Sequence, residues 1–257
     1  MLGLFAKFIM NDGFYWAAMF VGLAAVYMSD NRVKASIYAY AFDYDFELIY
    51  FDAQGRAQPI RYLFNLLNVD FVDTRLSREE WAEIKASEKY GKGTQLPLLV
   101  NRKTGEVKNQ SKSILNFLCE EFGLVPFGSE GRYEQDWFFD TKEDFEKKPG
   151  ARDAIFTEDA SYEVIDFTIE NYSAFLDKLN SRWSDGRKHI AGNNVSAADL
   201  TLLTFYTGII TNKNGRNPEV SRRLSEKLDQ LEHTTRVINN IISELSGAVD
   251  KLPATKS

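Results

Sequence analysis

One cysteine and two histidines are all that this 257-residue chain holds of the residue types that most often carry metals or disulfides. The single cysteine, Cys119, excludes an internal disulfide and fits a reducing compartment. His189 and His233 stand far apart with no cysteine or acidic pattern around them, so no metal-ligand spacing is present. Positive charge is also scarce. Lys and Arg number 31 against 37 Asp and Glu, for a net charge of −6. No basic stripe with interleaved aromatics occurs, which removes nucleic acid as a partner. What remains is the composition of a globular protein, 44% hydrophobic and 26% charged. The length buries a real core, as one large domain or two small ones.

Residues 13–28, GFYWAAMFVGLAAVYM, contain no charge. Sixteen residues at ~1.5 Å each reach about 24 Å, somewhat short of a ~30 Å hydrocarbon core. Tyr15 and Trp16 at one end and Tyr27 at the other suit an interface. The expectation is a single membrane-spanning or membrane-embedded helix within an anchor at 1–35, with a lipid bilayer as partner. A secretory signal is the first alternative, with a poor cleavage site after Ala24 and Ala25. A buried or partner-packed helix is the second, and the shortness favours it. Arg32 and Lys34 follow the run and Lys7 precedes it, which places the body on the cytoplasmic or mitochondrial matrix side.

The body changes character once. Residues 46–51 alternate as a strand and 57–67 step as a helix, with Pro59 in the tolerated first turn. A second strand follows at 71–75, and the turn NRKTG joins a hairpin of 96–100 and 106–108. A helix from Ser111 carries Ile114, Leu115, Leu118 and Phe122 and stops at Gly123. Residues 124–132 read as a linker. Beyond it the period is helical, with one core stripe through Tyr162, Ile165, Ile169, Tyr172, Leu176, Leu179 and Trp183. Two units result, at 45–124 and 132–250.

Several short motifs bear chemistry. FELIYFDAQGRAQPIR runs a strand through a glycine turn into a helix, with Tyr50 six residues before Arg56. A neutral phenol donates a hydrogen bond, although tyrosines in strands are common core residues. WAEIK sets Trp81 and Lys85 four apart on one helical face, as donors to an anion or as a solvated amphipathic turn. In Gln95-Leu96-Pro97 a proline opens a strand after a loop, a candidate cis peptide. Gln110-Ser111 stands at a helix start, where backbone N–H groups and the dipole favour an anion and where serine also serves as a plain cap. Within GRKHIAGNNVSAADL, Ser196 and Asp199 form a capping-box pattern and read as structural. YEQDWFFDTKEDF places Asp136 on a long helix. Cys119 lies amid apolar neighbours and reads as inert core.

In this order the motifs resemble the sigma class of the glutathione transferase family, over roughly residues 46–244. The resemblance implies an α/β thioredoxin-like domain followed by an all-α domain, a glutathione-transferase fold to which the apolar N-terminal run is an addition. It implies glutathione as substrate, with the Tyr50 hydroxyl turning its thiol into a thiolate and Arg56 in support. Trp81, Lys85, Gln95, Leu96, Pro97, Gln110 and Ser111 would bind glutathione, and Asp136 would reach the glutathione of a neighbouring subunit. An apolar electrophile would lie between the two domains. The loop between Lys85 and Gln95 and the hairpin NRKTGEVK are longer than the family pattern, and LEHTT stands where many members have alanine-proline. Two functions follow. One is a membrane-tethered glutathione transferase or isomerase, alone or as a homodimer. The other is a non-catalytic accessory subunit of a membrane complex, such as a respiratory complex of the mitochondrial inner membrane.

Overall fold

The computed structural model describes residues 44–212 and 214–249. The apolar run at 13–28 lies outside the described residues, and with it the reading of a membrane helix. Among the described residues no helix is long and apolar enough to cross a membrane.

Four strands form one mixed sheet in the order β2-β1-β3-β4. β1 (Phe46–Phe51) runs parallel to β2 (Phe71–Leu76) and antiparallel to β3 (Leu98–Asn101), which pairs antiparallel with β4 (Val107–Asn109). The period of two decides the rest. Phe46, Leu48 and Tyr50 face the main core, whereas Ile49 faces a small cluster with Leu76, Leu98 and Val100. β3 begins two residues later than the sequence suggests, because Pro97 has no N–H to give a ladder.

A 3₁₀ turn, Gly55–Ala57, leads into helix α1, Gln58–Leu67. Asn68 ends α1 in the left-handed region, returning its N–H to the carbonyls of Asn65 and Phe64. Helix α2, Arg78–Ala86, starts with a capping box. Ser77 Oγ accepts from the Glu80 N–H at 3.1 Å, and Glu80 Oε2 accepts from the Ser77 N–H at 2.7 Å. Helix α3, Ser111–Glu121, completes this half.

The second half is helical: α4 (Gly128–Glu146), α5 (Asp153–Phe156), α6 (Tyr162–Arg182), α7 (Ala197–Phe205), α8 (Pro218–Leu228) and α9 (Glu232–Val249). A π-helical turn, Tyr206–Ile210, extends α7. Helix α4 begins inside the stretch read as a linker, since Ser129 and Glu130 are good first-turn residues. The stripe on α6 is buried from Ile165 to Trp183, but Tyr162 is 84% exposed. It is the first residue after the cap, Ser161, and precedes the turn that meets the core. Asp199 is fully buried at the start of α7, where it accepts from the Ser196 N–H (2.9 Å), the Ser196 hydroxyl (2.6 Å) and the Ile190 N–H (3.0 Å). One apolar core runs through both halves, with Leu63 and Phe64 of α1, Leu118 of α3, Leu203 of α7 and Ile241 of α9 among its members.

Candidate active site

Tyr50 sits at the penultimate position of β1, half-buried, with its ring packed on the main core. Its hydroxyl oxygen accepts the backbone N–H of Arg56 at 3.2 Å. That contact needs the chain to turn back sharply, and Gly55 makes the turn with φ +42°. A Cβ at position 55 would lie 2.7 Å from the Tyr50 hydroxyl, so a side chain there would displace it. Because the oxygen accepts from backbone, the phenolic proton remains available to donate elsewhere.

Beneath the ring lies Arg61, whose guanidinium carbon is 6.0 Å from the ring centroid. Arg61 is fully buried and holds the loop after β1. It donates to the carbonyl of Ala53 at 2.8 Å and to both Asp73 carboxylate oxygens at 3.1 and 3.2 Å. Burial pulls the Arg61 pKa below its ordinary value, with Asp73 opposing that pull. The sequence reading passed over this residue, since a buried arginine on an apolar helix carries no local signature.

Tyr50 opens on a cleft of about 650 Å³ between the two halves. From the first half it is lined by Tyr50, Gln54, Gly55, Arg56, Pro59 and Ser111. From the second come Phe139, Lys142 and Glu146 of α4, Arg152 and Phe156, and Thr204, Gly208 and Ile209. Gly208 belongs to the π-helical turn, and the Gln54 amide oxygen would lie 3.2 Å from a Cβ there. Such turns are frequent at functional sites.

Of the residues named from sequence, the cleft brings together Tyr50, Arg56 and Ser111. Ser111 is the first residue of α3 rather than its cap. The cap is Gln110, at φ +70° and ψ +104°, a backbone conformation that costs a non-glycine residue ~1–3 kcal/mol and recurs at ligand clamps. Gln110, Trp81, Lys85, Gln95, Leu96, Pro97 and Asp136 do not line the cleft. Trp81 and Leu96 pack on the small cluster of Ile49, Leu76, Leu98 and Val100. Lys85 and Gln95 are exposed, as is Asp136 on α4. The Leu96–Pro97 bond is cis, as its place before a strand suggests. Lys112, Lys142 and Arg152 line the cleft and were not singled out from sequence. Charged residues on amphipathic helices announce nothing until the fold shows which face they occupy. Among the described residues no group of three or more His, Cys, Asp or Glu is placed to hold a metal ion.

Comparison with known proteins gives a consistent picture. No protein-family model matches the chain. The chain is 30% identical over 176 residues to glutathione S-transferase 4 of Caenorhabditis elegans, spanning 65% of this chain and 82% of that protein. It is 29% identical over 182 residues to human hematopoietic prostaglandin D synthase, with 65% and 84% covered. Among solved structures, a glutathione S-transferase from Ascaris lumbricoides superposes with a TM-score of 0.66 at 25% identity, over 82% of this chain and 98% of that one. Prostaglandin synthase D of Nilaparvata lugens superposes with a TM-score of 0.62 at 22% identity, over 82% and 99%, which is a likeness of fold.

Proposed function

The chain belongs to the glutathione S-transferase family, and we propose that it activates the thiol of glutathione at Tyr50 for attack on an apolar electrophile. One observation carries the reading. The Tyr50 hydroxyl is held by the Arg56 N–H at the edge of an open cleft, with its own proton free. A free thiol has a pKa near 8.5 and is mostly protonated at pH 7. A phenol donating to sulfur stabilises the thiolate selectively, and each ~1.36 kcal/mol of that preference lowers the thiol pKa by about one unit. Arg56 adds a cation, while Ser111 and the first turn of α3 offer N–H groups to the γ-glutamyl carboxylate. The thiolate sulfur then bonds to the electrophilic carbon, whose displaced electron pair leaves with a group or moves onto a carbonyl oxygen.

In this proposal Trp81, Lys85, Gln95, Leu96, Pro97 and Gln110 grip the peptide beyond the cleft, and Asp136 reaches the glutathione of a second copy. The uncharged run at 13–28 would hold the body at a bilayer, where apolar electrophiles gather. An open cleft at Tyr50 favours the enzyme over a non-catalytic subunit.

The test is Tyr50→Phe. Conjugation falls about ten- to a hundredfold, the worth of one hydrogen bond to a charged group, while glutathione affinity changes little. The thiolate absorbance of bound glutathione, titrated against pH, moves to a higher pKa in the variant. Full activity in Tyr50→Phe would remove the hydroxyl from the mechanism.

A further inference from the structure

The charges lining the cleft are unevenly matched. At its exposed rim Lys147 and Glu143 close an i, i+4 pair at 2.6 Å. Deeper in, two cations share one carboxylate: Glu146 lies 2.8 Å from Lys142 and 3.2 Å from Arg152. One positive charge is left over at this point, in a protein whose net charge is −6. The surroundings make that surplus felt. Lys142 and Glu146 are each about one quarter exposed at the side chain. Arg152 stacks its guanidinium 5.0 Å from the Phe156 ring centroid, and its Nε is buried without a hydrogen-bond partner. Burial pulls the Lys142 pKa down, Glu146 pulls it back, and the nearby charges of Arg152 and then Arg56 lower it again. A cation so placed lacks the solvation and counter-charge it would have in water.

We propose that the second substrate is an apolar molecule carrying one carboxylate, which Lys142 and Arg152 receive while its apolar body lies against Phe139, Phe205 and Ile209. The inference rests on the reading that Tyr50 activates a glutathione thiol. Both cations come from the helical half, whereas Tyr50, Arg56 and Ser111 come from the sheet half. The two sets line one cleft from different halves of the molecule, and the carboxylate proposed here sits on the helical half, apart from the γ-glutamyl carboxylate proposed at α3. Arg152 already has the Tyr172 hydroxyl beside Glu146, but that group is neutral; an incoming carboxylate gives both cations a second anionic partner and cancels the surplus charge. Its solvation in water is replaced by two charge-assisted donors.

The full-length protein tests this with ethacrynic acid and its methyl ester. The oxyacetate group is remote from the reacting enone, so uncatalysed reactivities are similar and serve to normalise the rates. In each case the thiolate sulfur bonds to the terminal alkene carbon, the electron pair moves to the ketone oxygen, and a solvent proton completes the adduct. The acid is expected to exceed the ester in kcat/KM by roughly tenfold at low salt, the value of one added charged hydrogen bond, with the ratio falling as ionic strength rises. Lys142→Met brings the ratio towards one, and Lys142→Arg keeps it. A wild-type ratio near one overturns the proposal. So does Lys142→Met if it raises the KM for glutathione and leaves the ratio intact, because the pair then holds glutathione. If neither compound is conjugated, thiol activation has failed. Calorimetry with octanoate against 1-octanol then decides the anion site alone: tighter binding of octanoate supports it, and equal binding overturns it.

Discussion

Helices α1 and α2 belong to the same half of the molecule and have 10 and 9 residues, yet they are held in opposite ways. In α1 every residue except Asn65 and Leu66 is buried, and in α2 none is. α1 is caught between the sheet and the helical half, touching α7 and α9. α2 touches the outer face of the sheet, where Trp81 and Ile84 meet a cluster of four buried residues. At ~25 cal/mol per Å² of apolar surface removed from water, this is a large difference in anchorage. The site divides along the same line. Tyr50, Arg56 and Arg61 lie at the N-terminal end of α1, on the strongly held side. Trp81 and Lys85 ride on α2, the weakly held side. Chemistry that needs a fixed hydroxyl sits where packing fixes it, and contacts that only need to close on a peptide sit where packing is sparse.

The largest expected effect comes from attacking the firm side at Arg61. Arg61→Met removes a fully buried cation and leaves the Ala53 carbonyl and one face of Asp73 without their donor. Losing one member of a buried pair costs about 3–5 kcal/mol. The lower end is expected here, because Asp73 keeps Arg75 at 2.9 Å and is partly exposed. Denaturant unfolding measures the loss. Conjugation should fall as well, since the loop that presents Gly55 and Arg56 is the one Arg61 ties down. A variant with wild-type stability would mean that α1 is held by apolar packing alone.

A second, smaller effect tests what α1 packs against. His189 is fully buried, with Nδ1 3.5 Å from Asp199 at the head of α7 and Nε2 3.3 Å from Glu244 on α9. Burial alone would lower its pKa, but Asp199 first and then Glu244 raise it above the ordinary value. Lys188 also bonds Glu244, whose own pKa is lowered, so that carboxylate stays charged. A raised folded pKa fixes the sign. The stabilisation is complete below the unfolded value near 6.5 and is lost as pH climbs through the folded value. Urea midpoints should therefore drop between pH 6 and pH 8.5 in the wild type, and His189→Gln should flatten this dependence. A midpoint that rises over that range in a His189-dependent way would reverse the assignment.

Much of this architecture is legible in the sequence, and the parts that are not share a reason. The alternation in FELIYF, the cap in front of α7 and the stripe from Ile165 to Trp183 are local patterns, and local patterns read well. So does Tyr50, because the turn that serves it is built from neighbours in the chain. Lys142 and Arg152 do not read, because only the packing of α4 and the following segment against the sheet half turns them into one wall of a cleft. Trp81 reads only in part. Its spacing to Lys85 places both on one helical face, but spacing is silent on which surface that face meets, and the structure packs Trp81 against the cluster of Ile49, Leu76, Leu98 and Val100.

The smallest effect probes that weakly held side. Trp81 has two separable attributes: a ring that packs on the small cluster and an indole N–H that packing does not require. Trp81→Phe keeps an aromatic ring and deletes the donor. Because Trp81 is only half-buried, stability should shift by less than about 1 kcal/mol. If the N–H closes on the glycine end of glutathione, the KM for glutathione rises about two- to tenfold, the range of one ordinary hydrogen bond, and kcat stays put because the Tyr50 hydroxyl is untouched. Trp81→Ala then adds a stability loss that the phenylalanine variant lacks, and comparing the two separates ligand contact from packing. An unchanged KM in both variants would make α2 a cover for the sheet with no part in binding. A fall in kcat without a change in KM would mean that the two helices are coupled more tightly than their burial implies.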